Sequence, residues 1–265
     1  MRPSNLRRVL LSGQTAVNAW ISGDGHYLAE VLSHAGFDAV TVDLQHGMFG
    51  LDGALRLIQC VSAGPSMPMV RCSALDAAQI GKLLDGGAYG VICPSIDTVE
   101  MAEQLVQACR YPPRGVRSFG PSRGLLYGGS DYVSAFEDEV MVWAMIESAT
   151  ALANVDAIAN IEGIDGLYVG PNDLALSMGH RPGATMPLPE VAEALDRIQS
   201  AAHAAGKVAG AFCADGDVGA WLAAMGYDMV TPGNDASLLK AAATERIARV
   251  RGGAPARGQS SGGGY

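Results

Sequence analysis

The sequence predicts a single-domain (β/α)8 barrel, the TIM barrel fold. Apolar runs rich in β-branched residues alternate with alanine-rich helical patterns, which is typical of a parallel sheet covered by helices. Eight such units follow one another, and 265 residues, 49% of them hydrophobic, can bury a core of that size. An open doubly wound sheet is the structural alternative, although no GxGxxG motif follows the first predicted strand.

The eight predicted strands are short apolar runs, and a helical pattern follows each of them. In order they are TAVNAW (15–20), DAVTVDL (38–44), MPMVRC (67–72), YGVICP (89–94), MVWAMIE (141–147), GLYVG (166–170), KVAGAFC (207–213) and DMVTP (228–232). Several helical patterns end in glycine before the next strand, as in LSHAGFDAV and LAAMGYDMV. Glycine there indicates a left-handed helix end in a short connection.

Two segments depart from this repeat. Residues 111–139 form a long connection rich in Gly, Pro and Ser, and loops of that length inside a compact domain are usually functional. Residues 1–251 are predicted to form the barrel. The remaining segment, 252–265 (GGAPARGQSSGGGY), has almost nothing to bury and is predicted to be disordered.

Composition and charge exclude several classes of function. The net charge is -9, and the 18 basic residues form no patch, so nucleic acid and anionic membranes are not expected as partners. No segment approaches the roughly 20 apolar residues of a membrane span, and Ser12, Gly13 and Gln14 interrupt the apolar run near the start, as a signal peptide would not. The five cysteines form no CxxC pair and lie in apolar runs, which favours reduced thiols in a cytoplasmic protein.

Polar side chains follow most of the predicted strands, at the rim where barrels of this kind build their active sites. They are Asp43 and His46 after strand two, Arg71 on strand three, Ser95 after strand four, Glu147 on strand five, and Asn172 with Asp173 after strand six. Glu147 and Asp173 are hard oxygen ligands suited to Mg²⁺ or Mn²⁺. Arg71 can stabilise an oxyanion, and histidine is the residue type that most often serves as a general base near neutral pH.

Each of these residues also has a structural interpretation. His46 could be a structural hydrogen-bonding group, Arg71 could pair with a carboxylate, and Glu147 could be an ordinary residue at a strand end. Asp173, in GPNDLA, could be only a helix N-cap. Because these functional groups converge on one predicted rim, a site is nevertheless favoured over separate structural roles.

Taken in order, the motifs GFDAVTVDLQHG, MVRC, YPPRGVRS and GPNDLA resemble the HpcH/HpaI family of metal-dependent (class II) pyruvate aldolases, typified by 4-hydroxy-2-oxoheptanedioate aldolase. The resemblance covers residues 5–250. It implies a (β/α)8 barrel in which Glu147 and Asp173 bind Mg²⁺, Mn²⁺ or Co²⁺, and a 2-oxo acid chelates that ion. It also implies hexamers built as trimers of dimers that exchange the last helix, here the pattern DASLLKAAATERIARV.

The resemblance assigns further roles at the site. Arg71 contacts the keto or enolate oxygen. His46 is the base on the aldol hydroxyl, directly or through a water, with Asp85 as its partner, and Asp43 of the same Asp-x-x-His turn belongs to the catalytic group. Backbone amides of Gly170, Asn172 and Asp173 hold the substrate carboxylate.

One departure from the family pattern leaves the preferred substrate open, because Gln45 stands where glutamate is common. The predicted reaction is cleavage of a 4-hydroxy-2-oxo acid into pyruvate, or a related 2-oxo acid, and an aldehyde, together with its reverse. No Schiff base is expected, since none of the three lysines ends a predicted strand. The 111–139 connection is expected to contact the aldehyde, and a neighbouring subunit is a further candidate.

Two alternatives remain from the sequence. One is a carbon-carbon lyase of the same superfamily that acts on acyl-CoA esters, although the chain shows no basic surface for the nucleotide phosphates. The other is a barrel that binds a 2-oxo acid without turnover.

Overall fold

Eight parallel strands close into a barrel in the order β1 to β8 in the structure, a computed structural model that describes residues 1–183, 186 and 188–252. The strands are β1 (Ala16–Ile21), β2 (Ala39–Asp43), β3 (Met67–Arg71), β4 (Gly90–Cys93), β5 (Met141–Ile146), β6 (Gly166–Val169), β7 (Val208–Cys213) and β8 (Met229–Pro232). Each predicted strand is confirmed within one residue at either end. Because β1 also pairs with β8, with Ala16 opposite Met229, the open-sheet alternative is wrong.

Helices cover the outside of this barrel. They are α1 (Asn5–Leu11), α2 (His26–Ser33), α3 (Leu51–Ala63), α4 (Ala77–Asp85), α5 (Val99–Cys109), α6 (Gly124–Gly128), α7 (Tyr132–Glu139), α8 (Ala149–Ala153), α9 (Val155–Ala159), α10 (Pro171–Ser177), α11 (Pro189–Ala204), α12 (Gly216–Ala224) and α13 (Asp235–Val250). The predicted left-handed helix ends are present, for example at Gly36 and Gly226, whose φ angles are both 99°. No helix in the described ranges is both long and apolar enough to cross a bilayer.

The 111–139 connection is more ordered than its composition suggests, since it contains α6, a 3₁₀ turn (Gly129–Asp131) and α7. Tyr132 and Phe136 lie one helical turn apart and are both buried, and this apolar pair anchors α7. The connection leads from the end of α5 to the start of β5, so it lies at the N-terminal end of the barrel. Within a single chain, it therefore does not form the expected contact with an aldehyde at the opposite rim.

Two apolar cores hold the barrel together. One fills the barrel interior and includes Trp20, Trp143 and Tyr168, and the other lies between strands and helices. Since the interior is packed with side chains, a ligand can reach only the rim at the strand ends. Of the tail predicted to be disordered, residues 253–265 lie outside the described ranges.

Candidate active site

A buried ion pair joins the ends of β2 and β3. The two strands pair in register with Asp43 opposite Arg71. Arg71 donates from Nε to Oδ1 of Asp43 at 2.7 Å and from Nη2 to Oδ2 at 2.6 Å, and Asp43 is 0% exposed. Such a two-point contact fixes the plane of the guanidinium. Arg71 therefore pairs with a carboxylate, as its structural interpretation proposed. The same ion pair also holds the Arg71 side chain at the rim.

Asp43 is itself fixed by further donors. The indole Nε1 of Trp20 donates to Oδ2 at 3.2 Å, and the backbone N–H groups of Gln45 and His46 donate to Oδ1 at 3.0 Å and 3.4 Å. With its oxygens engaged in this way, the Asp43 carboxylate is suited to holding Arg71 and the following turn.

The tight turn after β2 brings His46 to the rim. The Gly47 N–H donates to the carbonyl of Asp43 at 3.1 Å, and a Cβ at Gly47 would lie only 2.1 Å from that oxygen, so glycine is required. His46 is exposed. It therefore stands on the solvent side of the ion pair, where a substrate could reach it.

Glu147 directly follows β5 and is buried, with 7% of its surface exposed. Its Oε1 accepts hydrogen bonds from the backbone N–H of Ser95 at 2.8 Å and from the Ser95 hydroxyl at 3.1 Å. Burial is the largest effect on the pKa of this carboxyl and raises it. The negative charge of Asp173 also raises the pKa, while the Ser95 hydrogen bonds and the charge of Arg71 oppose the shift.

Asp173 lies in the first turn of α10, on the loop side of β6. The N-cap of α10 is Gly170 and makes no side-chain hydrogen bond, so the interpretation of Asp173 as the N-cap is wrong. Asn172 is held by a hydrogen bond from the backbone N–H of Gly183 to its Oδ1 at 3.1 Å.

Arg71, Asn172 and Asp173 border one open depression of about 360 Å³ at the rim. Its lining consists of Trp20, Arg71, Met145, Gly170, Pro171, Asn172, Asp173 and Phe212. The cation of Arg71 and the first turn of α10 thus face the same space, over an apolar floor. Arg71, Gly170, Asn172 and Asp173 thus border one space, and their roles toward a substrate stay predictions.

Asp85 does not join this group within one chain. It is the last residue of α4, which returns to the N-terminal end of the barrel, and it forms an ion pair with Arg117 at 2.8 Å. Arg117 is buried between the rings of Tyr111 and Phe136, each 4.5 Å from its Cζ. The role of Asp85 as partner of His46 stays a prediction that a single subunit does not satisfy.

Trp20 and Phe212 line the depression, although their positions in the sequence did not predict it. The Cζ atom of Arg71 lies 4.9 Å from the centroid of the Trp20 ring, and Trp20 and Phe212 meet edge to face with centroids 5.7 Å apart. Trp20 falls at an inward position near the end of β1. A search for inward-facing residues at strand ends, apolar ones included, would have found it.

The donor set fits a divalent cation. In the described part of the chain, no three His, Cys, Asp or Glu side chains surround a common point. Glu147 and Asp173 are nevertheless close enough for the charge of one to raise the pKa of the other. Two carboxylates, with the remaining positions left to water and substrate, form a common oxygen site for small divalent ions.

Known proteins are similar to this chain over most of its length. A hydroxypyruvate/pyruvate aldolase of Rhizorhabdus wittichii is 41% identical over 239 residues, 90% of this chain and 95% of the relative. A 2-keto-3-deoxy-L-rhamnonate aldolase of Klebsiella pneumoniae is 33% identical over 248 residues, 92% of each chain. The crystal structure of a HpcH/HpaI aldolase/citrate lyase family protein from Burkholderia cenocepacia matches with a TM-score of 0.87 and 30% identity, over 93% of this chain and 98% of that one.

Fold, rim and relatives together define an aldolase, a carbon-carbon lyase built on a (β/α)8 barrel. The family model for HpcH/HpaI aldolase/citrate lyase matches residues 17–242. The chain belongs to this family, and the resemblance predicted from its motifs is confirmed.

Proposed function

We propose that the enzyme cleaves 4-hydroxy-2-oxo acids into pyruvate, or a related 2-oxo acid such as hydroxypyruvate, and an aldehyde, and also catalyses the reverse addition. The observation that carries this proposal is the buried Arg71, held by Asp43 so that it faces the depression it shares with Asp173. The proposed 2-oxo acids follow the names of the relatives, because several are hydroxypyruvate/pyruvate aldolases. The aldehyde is left unassigned.

Glu147 and Asp173 would hold the divalent ion, with Mg²⁺, Mn²⁺ and Co²⁺ as the candidates. When bound, such an ion acts as a Lewis acid toward the carboxylate and keto oxygens of a 2-oxo acid. The raised pKa of Glu147 supports this role, because a buried carboxylate gains from a cation that replaces its lost hydration.

The remaining groups divide the reaction between the two ends of the substrate. Arg71 would stabilise the negative charge that develops on the oxygen of the enolate, as a preorganised donor does for an oxyanion. Backbone N–H groups of Gly170, Asn172 and Asp173, in and before the first turn of α10, would hold the substrate carboxylate. His46 would take the proton of the aldol hydroxyl as the carbon-carbon bond breaks and the aldehyde leaves.

No lysine is needed for this chemistry. Lys82 lies within α4, and Lys207 precedes β7 at the N-terminal end of the barrel, so neither is at the rim. A Schiff-base route through either residue has no support in the fold.

Assembly is the further part of this proposal. Every residue of α13 is exposed or half-buried, including Leu239 at 64% and Ile247 at 49% exposed. An apolar stripe of this kind supports docking of α13 on another copy and hence a homohexamer with exchanged last helices. Light scattering at micromolar concentration tests this, and a monomeric mass would contradict it.

We also propose a cytoplasmic location, consistent with five free cysteines in the described chain.

The decisive experiment measures pyruvate consumption with a panel of aldehydes before and after chelation. EDTA should abolish activity and Mn²⁺ should restore it, whereas full activity after exhaustive chelation would exclude the metal-dependent route. Glu147→Ala and Asp173→Ala should both lose Mn²⁺ binding while circular dichroism shows an intact fold. Binding of pyruvate without turnover would favour the non-catalytic barrel, and turnover of acyl-CoA esters alone would favour the superfamily alternative.

A further inference from the structure

Ser95 is the only non-glycine residue in the described ranges with a left-handed backbone, at φ 55°. It lies in the turn after β4, two residues beyond the end of the strand, and is exposed at the rim. This conformation is disfavoured for a residue that carries a Cβ. A strained residue of this kind persists only where surrounding contacts hold it, and such residues are concentrated at functional sites.

The contacts that hold Ser95 both end on one atom of Glu147. The backbone N–H and the hydroxyl of Ser95 donate to Oε1 at 2.8 Å and 3.1 Å. The other oxygen, Oε2, lies toward Gly170, because a Cβ on that glycine would be only 2.7 Å from it. Gly170 lines the depression that also holds Arg71 and Asp173. Ser95 therefore engages Oε1, and Oε2 lies on the side of Gly170.

We propose that Ser95 is a positioning residue of the metal centre, which holds Glu147 by Oε1 so that Oε2 is the oxygen offered to the divalent ion. This inference rests on the proposed binding of that ion by Glu147 and Asp173. The left-handed backbone of Ser95 is required for this positioning. A return to negative φ would turn the Ser95 N–H relative to its side chain, and the two bonds to one oxygen would not both survive.

Gly170 completes the arrangement from the other side. Any side chain there would meet both Oε2 of Glu147 and Cε of Met145 at 2.7 Å. The carboxylate is thus bounded by Ser95 at one oxygen and by the bare backbone of Gly170 at the other. Its orientation is set before an ion arrives, and preorganisation of this kind strengthens binding without adding a ligand.

Direct Mn²⁺ titration of the purified full-length protein, followed by electron paramagnetic resonance, tests this role. Ser95→Ala removes the hydroxyl and keeps the backbone N–H, so Mn²⁺ should bind about 10-fold more weakly, the effect of one charge-assisted hydrogen bond. Ser95→Val adds a β-branched side chain that resists the left-handed backbone, and both bonds should be lost. The expected loss of affinity is then on the order of 100-fold.

A matched control is available at the same rim. Ser73 is exposed and donates to Gln79, and it makes no hydrogen bond to Glu147, so Ser73→Ala should bind Mn²⁺ like the wild type. Urea unfolding of every variant separates positioning from stability, because a merely structural Ser95 would lower the unfolding midpoint without a specific loss of affinity among folded molecules.

The outcomes are distinct. Wild-type affinity for Mn²⁺ in both Ser95 variants would overturn the positioning role, as would losses that only follow the fraction of folded protein. Folded wild-type protein that binds no Mn²⁺ would instead refute the metal centre, and the role of Ser95 with it.

Discussion

Replacement of Asp43 by asparagine is expected to destabilise the protein and to weaken catalysis by releasing Arg71. Asp43 is fully buried and the Arg71 side chain is 5% exposed, so water does not replace the lost contact. Asparagine keeps the shape of the side chain but removes its charge. It also turns one of the two acceptor oxygens into a donor, which would face Arg71 N–H groups or the Trp20 indole.

The size of the effect follows from this geometry. Loss of one partner of a buried ion pair costs about 3–5 kcal/mol. The mismatched amide leaves at least one further donor unsatisfied, at about 1–3 kcal/mol. These two free-energy costs do not add, because both include the same atoms. We therefore expect the free energy of unfolding to fall by about 4 kcal/mol. That is a large share of the 5–15 kcal/mol, roughly, by which a domain is stable. For an unsupported oxyanion donor, kcat/KM should fall by about 10²- to 10³-fold.

Urea unfolding at 25 °C measures the free energy of unfolding, and pyruvate-forming cleavage measures kcat/KM. Asp24→Asn is the matched control, because Asp24 is a half-exposed carboxylate at the same rim, 3.6 Å from the half-exposed His26. It should change stability by less than about 0.5 kcal/mol. In the double variant with Arg71→Met, the loss should be about 2 kcal/mol smaller than the sum of the single losses. A loss below about 1 kcal/mol in Asp43→Asn, with kcat/KM unaltered, would refute the dependence of Arg71 on Asp43.

Two further predictions concern Glu147 and the division of labour between Arg71 and His46. Burial, reinforced by Asp173, raises the pKa of Glu147, so ionisation of this carboxyl costs stability, and the metal-free protein should become less stable as the pH rises through the raised pKa. Urea unfolding in EDTA at pH 5 and pH 8 should show a smaller difference between the two pH values in Glu147→Gln than in the wild type, and an equal difference would contradict the assignment. Arg71→Ala should slow exchange of the pyruvate methyl protons with solvent by about 10²- to 10³-fold, since enolate formation needs the donor. His46→Ala should slow cleavage by about 10²- to 10⁴-fold and should slow the methyl-proton exchange less than it slows cleavage. Deuterium incorporation into pyruvate, followed by NMR, tests both variants. Equal loss of the two reactions in His46→Ala would mean that His46 also governs enolisation.

The fold was predictable because its signals are local. β-branched runs define strands, and the glycines before strands stop helices through their own backbone preferences. Only neighbouring residues take part in these effects, so they can be identified in the sequence itself. The polar ends of the strands were predictable for a related reason. A parallel barrel places all such ends on one rim, and the rim positions of Arg71, Glu147 and Asp173 follow from the order of the strands.

The helix α7 shows where local signals were not sufficient. Gly, Pro and Ser dominate the 111–139 segment, and its apolar pair, Tyr132 and Phe136, is too short a pattern to indicate a helix. Packing against Tyr111 and the buried Arg117 stabilises it, with ring centroids of Phe136 and Tyr111 5.5 Å apart. That stabilisation depends on contacts between distant parts of the chain.

The sequence by itself determined the barrel, its strand ends and the set of chemical groups at the rim, because periodicity and strand order depend on the chain alone. Only the tertiary structure decided which of these side chains form hydrogen bonds and ion pairs with one another. Three sets of contacts join residues that are distant in sequence. Asp43 and the Trp20 ring hold Arg71, the left-handed Ser95 holds Glu147, and Asp85 pairs with Arg117 at the far end of the barrel. Hydrogen bonds and ion pairs act over about 3 Å, and proximity on that scale arises only when the barrel has closed.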